Sequence, residues 1–485
     1  MNTPRHLLYA FRKQIEAADP IPALRKGIIG KGCMIDGPFG QKPLLYADYV
    51  ASGRALRQIE TFILDEVLPY YANSHTEASY CGAFITGLRR EARAVIAELC
   101  GADDRHDVIF AGSGATAGLN RLVHLLGVSQ AVRDGRGATV LIGPYEHHSN
   151  ILPWRESGAE VVEIPEAAEG GPDLSVLSDR LKAVQGLVVG SFSAASNVSG
   201  IVTDVTAVTR MLKAAGALAV WDYAGGGPYL PIAMDPAKDA PIDALVLSPH
   251  KFVGGPGASG ILIVRKDAIR TSVPTSPGGG TVRFVSSTFH DYSLDIADRE
   301  EAGTPNSVGD IRAALAMIVK DVVGQERIDA INADLSRRML KEMAGMARIR
   351  LLGKTDCLRL PIFSFLIEDG PNGPVEPQFA TRLLSDRFGI QMRGGCACAG
   401  PYGHHLLGID EARSAGLRAL ILSGDLTGKP GFVRFNLSYL STEEEFDTIV
   451  DALRALPGLA DRQLGQRGTI PGGWPAAGFS DTRLS

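Results

Sequence analysis

Between residues 107 and 264 the chain repeats one beat: a short apolar run, a turn, and then a stretch of helical composition. The apolar runs fall at 108–110, 139–142, 161–164, 187–190, 217–221, 244–247 and 260–264, and helical spacing appears at 115–127, 174–185 and 205–214. Strands that alternate with helices require crossover connections, and these give a mainly parallel sheet covered on both faces. The expected class is therefore α/β. In such sheets the working loops lie beyond the carboxyl ends of the strands. That rule selects the segments 111–118, 143–150, 191–200, 222–230 and 248–257.

The flanking sequence has other characters. Residues 54–71 and 84–100 carry apolar positions at helical spacing, such as Leu56, Ile59, Ile63 and Val67, then Leu88, Val95, Ile96 and Leu99. Residues 266–310 are irregular and rich in Gly, Ser and Thr, and one long helical stretch is expected from Ile311 to about Met346. The remainder, with strands expected at 348–352, 362–366 and 433–437, reads as a smaller α+β domain. We expect a large domain at 46–310, a discontinuous small domain at 1–45 and 311–456, and a loose tail at 457–485. The formal net charge of -5 gives no reason to expect nucleic-acid or anionic-membrane binding. No run of about 18 uncharged apolar residues suggests a membrane span, and the first residues do not resemble a secretory signal. Six cysteines are too few for a disulfide scaffold in a chain of 485 residues, so a reduced cytoplasmic protein is expected.

The strand ends carry chemistry. Leu245-Val-Leu-Ser248-Pro-His250-Lys251 delivers a lysine from a buried strand into a Gly- and Pro-rich turn. Desolvation there disfavours the ammonium and leaves an amine able to condense with an aldehyde such as pyridoxal phosphate. Ser248 and His250 add donors suited to a phosphate. Ala111-Gly-Ser-Gly114-Ala115-Thr116 runs from strand to helix with small residues, as an anion site at a helix N-terminus would; on its own it reads equally as a capped tight turn. Glu146-His147-His148 sets flat imidazoles at another strand end, where one could stack on an aromatic cofactor. Asp222 ends the 217–221 run. It is either a helix N-cap or a buried carboxylate awaiting a cation, such as a protonated pyridine nitrogen.

Two further features lie in the second half. Arg393-Gly-Gly-Cys396-Ala-Cys398-Ala-Gly is a glycine-rich loop with two thiols, which suggests a nucleophile on a moving loop. Two structural thiols on a turn remain the plain alternative, and no metal is expected because no second ligand pair stands at finger spacing. Arg434 interrupts an apolar strand, and an inward arginine there suits a substrate carboxylate.

With these motifs in view, the sequence resembles the class V aminotransferase family of PLP enzymes, most nearly its cysteine desulfurase branch and the desulfurase domain of molybdenum-cofactor sulfurases. The resemblance runs from about Tyr46 to about Leu453. It implies the fold type I architecture and pyridoxal 5'-phosphate as cofactor. It further implies Lys251 as the Schiff-base lysine, Asp222 as partner of the ring nitrogen and His147 as the stacking ring. The phosphate cup falls on Gly114, Ala115, Thr116, Ser248 and His250. Asn197, Arg434 and Arg393 fall where the amino-acid substrate binds, and Cys398 where the persulfide forms. Thr304 matches a threonine that reaches the partner subunit's phosphate, which implies a homodimer with shared sites. The implied reaction converts L-cysteine to alanine and passes sulfur to an acceptor, possible acceptors including a protein. One departure stands out: Gly225 occupies the position where desulfurases carry a glutamine. An aminotransferase, epimerase or C–S lyase on the same cofactor is the alternative.

Overall fold

The computed structural model describes residues 7–16, 19–74, 76–369, 373–425 and 428–465. Its centre is a seven-stranded sheet. The strands are β1 (His106–Gly112), β2 (Ala138–Ile142), β3 (Glu160–Glu163), β4 (Leu187–Ser193), β5 (Leu218–Asp222), β6 (Ala244–Leu247) and β7 (Gly260–Arg265). Their spatial order is β1-β7-β6-β5-β4-β2-β3. Only β7 runs against its neighbours; the other pairings are parallel. The inner strands are short continuous apolar runs because helices cover both faces, and every residue of β2 and β6 is buried. Helices follow at Gly114–Leu125, Leu174–Ala183 and Val205–Ala214. Asp173 and Asp204 begin the latter two by accepting backbone N–H groups. All five selected segments thus emerge at one end of the sheet.

A smaller antiparallel sheet packs beside it. Its strands are β8 (Ile349–Leu351), β9 (Ile362–Ile367), β10 (Arg393–Gly395) and β11 (Phe432–Asn436), in the order β8-β9-β11-β10. Phe363, Phe365, Phe435 and Leu453 lie at the heart of its own apolar cluster.

Four expectations are corrected. The stretch beyond Ile311 is two helices, Ser307–Val323 and Gln325–Ala344, parted at Gly324, whose φ of 86° ends the first. The 54–71 stretch is α-helical only at Arg57–Phe62. It then widens into a π turn and tightens to a 3-10 turn at Leu68–Tyr70, where Pro69 removes a donor. Residues 1–45, expected with the smaller domain, divide: Leu45 pairs with Ile390 and packs on the smaller sheet's cluster, whereas Leu8, Phe11, Ile15, Ile21 and Leu24 pack in the cluster that holds Phe62, Leu88 and Ile311. Finally, residues 457–465 continue the helix Glu443–Gly465 and are no loose tail; residues 466–485 lie outside the described residues. Among the described residues, no helix is long and apolar enough to cross a membrane.

Candidate active site

Lys251 follows β6 in a single 3-10 turn, its backbone N–H donating to the Ser248 carbonyl at 2.9 Å. Burial lowers its pKa to about 8. Asp222 opposes that shift, while Arg434 and Arg393 add to it. Asp222 closes the neighbouring strand β5 and is 3% exposed. Its Oδ1 accepts the Ala224 N–H at 2.7 Å. Burial raises its pKa, against that hydrogen bond and the pull of Lys251. A buried carboxylate with one weak cationic neighbour has room for a stronger one.

The cup forms where β1, β6 and β7 meet. Gly114 opens the helix Gly114–Leu125 with φ +67°, and a Cβ there would sit 2.9 Å from His250 Cε1 and 3.0 Å from Ser248 Oγ. It cannot retreat, because Gly260 of β7 already packs on its backbone; a Cβ on Gly260 would meet the Gly114 oxygen at 2.4 Å. Ala115 enters the cup differently from the sequence reading. Its N–H donates to Ser248 Oγ at 3.0 Å, so Ser248 braces the turn. Thr116 Oγ1 lies 2.7 Å from Ser149 Oγ, which in turn lies 3.0 Å from His147 Nδ1. The Ser149 N–H also donates to that Nδ1 at 3.1 Å, so the proton of neutral His147 belongs on Nε2. Burial first, and then Lys251, lowers the pKa of His147 to about 4. His250, lowered to about 4 mainly by burial, is likewise neutral at physiological pH.

Glu146, next to His147, is locked in place by four donors: Gly143 N–H, Ser193 N–H, Ser193 Oγ and Asn150 Nδ2. Asn150 cannot turn away, since its Oδ1 accepts from Trp154 Nε1 and Ser191 Oγ. This buried knot ties the ends of β2 and β4 together and fixes the histidines.

The cysteine loop follows β10 of the smaller sheet. Ala397 and Cys398 both have left-handed backbones, with φ of 51° and 54°. Two consecutive non-glycine residues there store strain, a pattern that gathers at working sites. Three hydrogen bonds hold the loop: His148 N–H to the Cys398 carbonyl at 2.9 Å, Gly400 N–H to His148 Nε2 at 3.0 Å, and Asn197 Nδ2 to the Ala397 carbonyl at 2.9 Å. Cys398 is exposed, Cys396 is half-buried, and all six cysteines are free. Among the described residues no group of three or more His, Cys, Asp and Glu could hold a metal.

Arg434 is 3% exposed in β11; its Nη1 donates to the Asn197 carbonyl at 3.1 Å and its Nη2 to Asp48 Oδ1 at 2.8 Å. Arg393 Nε donates to the other oxygen of Asp48 at 3.0 Å. Asp48 was missed in the sequence, although an arginine in an apolar strand calls for an acid somewhere. Arg434 Nε and Asn197 Oδ1 stay buried without partners. The structure thus brings Lys251, Asp222, His147, the cup, Asn197, Arg393, Arg434 and the Cys398 loop to one end of the sheet. Thr304 is not among them: it is exposed and hydrogen-bonds none of these residues. Gly225 lies against Asn197, and a Cβ there would make only ordinary contacts at 3.5 and 3.6 Å.

The profile described as Aminotransferase class-V matches residues 45–449. The chain belongs to that family. Its relatives include a cysteine desulfurase of Pectobacterium atrosepticum, 26% identical over 419 residues, with 86% of this chain and 93% of that protein covered. Another is a cysteine desulfurase of Enterobacter sp., 27% identical, with 85% and 93% covered. Among solved structures, the apo cysteine desulfurase of Thermococcus onnurineus NA1 superposes with a TM-score of 0.72 at 24% identity, covering 90% of this chain and 97% of that one. The architecture is that of fold type I, and the protein is a pyridoxal-phosphate-dependent enzyme of this family. Its residues fit the group: the missing Cβ of Gly114 leaves the cup open, and Asp222 offers a buried carboxylate to a ring N–H.

Proposed function

We propose that this enzyme takes the sulfur from L-cysteine, releasing alanine and holding the sulfur as a persulfide on Cys398. The carrying observation is the cysteine loop, strained at Ala397 and Cys398 and hydrogen-bonded to His148 and Asn197 beside the buried Arg434. When bound, pyridoxal phosphate supplies an electron sink for charge developing on the substrate. Gly114, Thr116, Ser248 and His250 would hold its phosphate, Asp222 its ring nitrogen, and the flat ring of His147 its face. The remaining steps belong to the chain. Arg434, Arg393 and Asn197 bind the substrate carboxylate. Lys251, whose pKa lowered to about 8 leaves roughly a tenth of the amine neutral at pH 7, takes and returns the substrate proton. Cys398 thiolate attacks the substrate sulfur: an S–S bond forms as the substrate Cβ–S bond breaks, and the carbon fragment takes up a proton to leave as alanine. Cys398→Ser should keep the yellow colour of the bound cofactor and stop the production of alanine and sulfide. A variant that turned cysteine over at the parental rate would end this reading.

A homodimer completes the proposal. Thr304 is exposed, and the hairpin formed by Val282–Val285 and His290–Tyr292 presents Phe284, Val285 and Phe289 to solvent, as expected of a surface awaiting a second copy. The persulfide then needs an acceptor, which an exposed Cys398 suits, and a reduced thiol fits a cytoplasmic setting. The second reading is an aminotransferase, epimerase or C–S lyase, favoured by Gly225, which sets no side chain beside Asn197 where desulfurases carry a glutamine. A panel of amino acids scored for sulfide, pyruvate and other keto acids separates the two.

A further inference from the structure

Arg393 and Arg434 stand directly opposite each other across the antiparallel pairing of β10 and β11. Like charges at such a cross-strand position repel. Among the described residues the acid that touches both is Asp48, which gives one carboxylate oxygen to each guanidinium. Its position is built from both sides. Ala47 N–H donates to the Gln391 carbonyl, Asn436 N–H donates to the Ala47 carbonyl, and the Tyr46 hydroxyl donates to the Asp48 carbonyl. Asp48 itself is 8% exposed. The trio therefore carries two positive charges and one negative, a formal surplus of one. Arg434 Nε, buried and without an acceptor, is a donor left over for an anion.

We propose that Asp48 sets this pocket to accept a single carboxylate, so that the enzyme selects amino acids with an uncharged side chain and discriminates against dicarboxylic ones. Neither arginine alone could do this. With both unpaired, the surplus of two would attract a second carboxylate; with Arg393 absent, the Asp48–Arg434 pair would leave almost nothing for the first. The proposal rests on the amino-acid site described above and names its substrate class.

The test is titration calorimetry of the holoenzyme with propionate and succinate, which differ by one carboxylate and lack both the amino group and the sulfur. The parent protein should bind succinate no more tightly than propionate. In Asp48→Asn the ratio of succinate to propionate affinity should rise by about tenfold or more, and the gain should shrink with added salt, as expected for charge released on the half-exposed Arg393 side chain. Asp48→Glu should restore the parental ratio. If Asp48→Asn weakens both acids alike and leaves the ratio unchanged, Asp48 is only a brace and the proposal is overturned. Should that variant fail to fold, Arg393→Gln serves: it should lose affinity for both acids, and parental affinity for propionate would refute the charge count. Neither acid can be desulfurated, so these results are independent of the Cys398→Ser outcome.

Discussion

Gly114→Ala tests the cup at its tightest point. The backbone at φ +67° costs an alanine about 1–2 kcal/mol relative to glycine. The new methyl would also sit 2.9 Å from His250 Cε1 and 3.0 Å from Ser248 Oγ, so one of them must move. Ser248 Oγ accepts the Ala115 N–H, and shifting it costs roughly another 1 kcal/mol. Gly260 blocks retreat on the other side. The sum is about 2–3 kcal/mol, and because the strain falls on the phosphate cradle it should weaken cofactor binding by roughly 30- to 160-fold. Gly112→Ala is the matched control. Its φ is +83° but nothing lies within 4 Å of a Cβ there, so it should carry the backbone cost alone. Absorbance titration of both apoproteins with pyridoxal phosphate reads the difference. If Gly114→Ala binds the cofactor no worse than Gly112→Ala, the close cup described here is wrong.

Three other outcomes follow from buried groups. Capture of the cofactor by the apoprotein should quicken with pH around a midpoint of about 8, because the neutral Lys251 amine reacts and its ammonium does not; stopped-flow absorbance giving a profile flat through that midpoint would contradict the burial argument. Lys320, half-buried and with its pKa lowered to about 8 by desolvation of its amine, donates to the Gly227 and Leu230 carbonyls, a few residues past Asp222 in the chain. Lys320→Met should strand those carbonyls, cost about 1–3 kcal/mol and speed hydrogen exchange across 223–230; unchanged protection there would show that the lysine braces nothing. Glu301, which pairs with Arg89 and Arg93 and accepts the Phe110 N–H, ties the segment carrying Thr304 to the edge strand β1. Glu301→Gln should destabilise the protein by about 3–5 kcal/mol in urea unfolding, and a loss below about 1 kcal/mol would argue against a tight network.

The legible and illegible parts of this chain differ in range. β6 announces itself as an unbroken apolar run, and the residues just beyond it, including Lys251, follow from chain direction alone. Asp222 was readable as a strand-end carboxylate, but its choice between capping a helix and facing a cation needed the three-dimensional pocket. β10 left no trace: Arg393-Gly-Gly has no alternation, and its pairing with β11 spans some forty residues of sequence. Missing that register hid the opposition of Arg393 and Arg434, and with it the reason for Asp48. Nor could composition reveal that Leu8 and Phe11 pack in the cluster of Phe62, Leu88 and Ile311, since an amphipathic helix specifies a face and not the surface that covers it. The left-handed backbone at Ala397 and Cys398 is equally invisible, because neither residue type favours it.

The whole account depends on Lys251 being the amine that meets the cofactor opposite Asp222. Reduction of the holoenzyme with borohydride, followed by peptide mass spectrometry, tests this directly. The pyridoxyl group should be found on the peptide bearing Lys251 and nowhere else. A label on another lysine, or a protein that takes up no label when saturated with the cofactor, would contradict it.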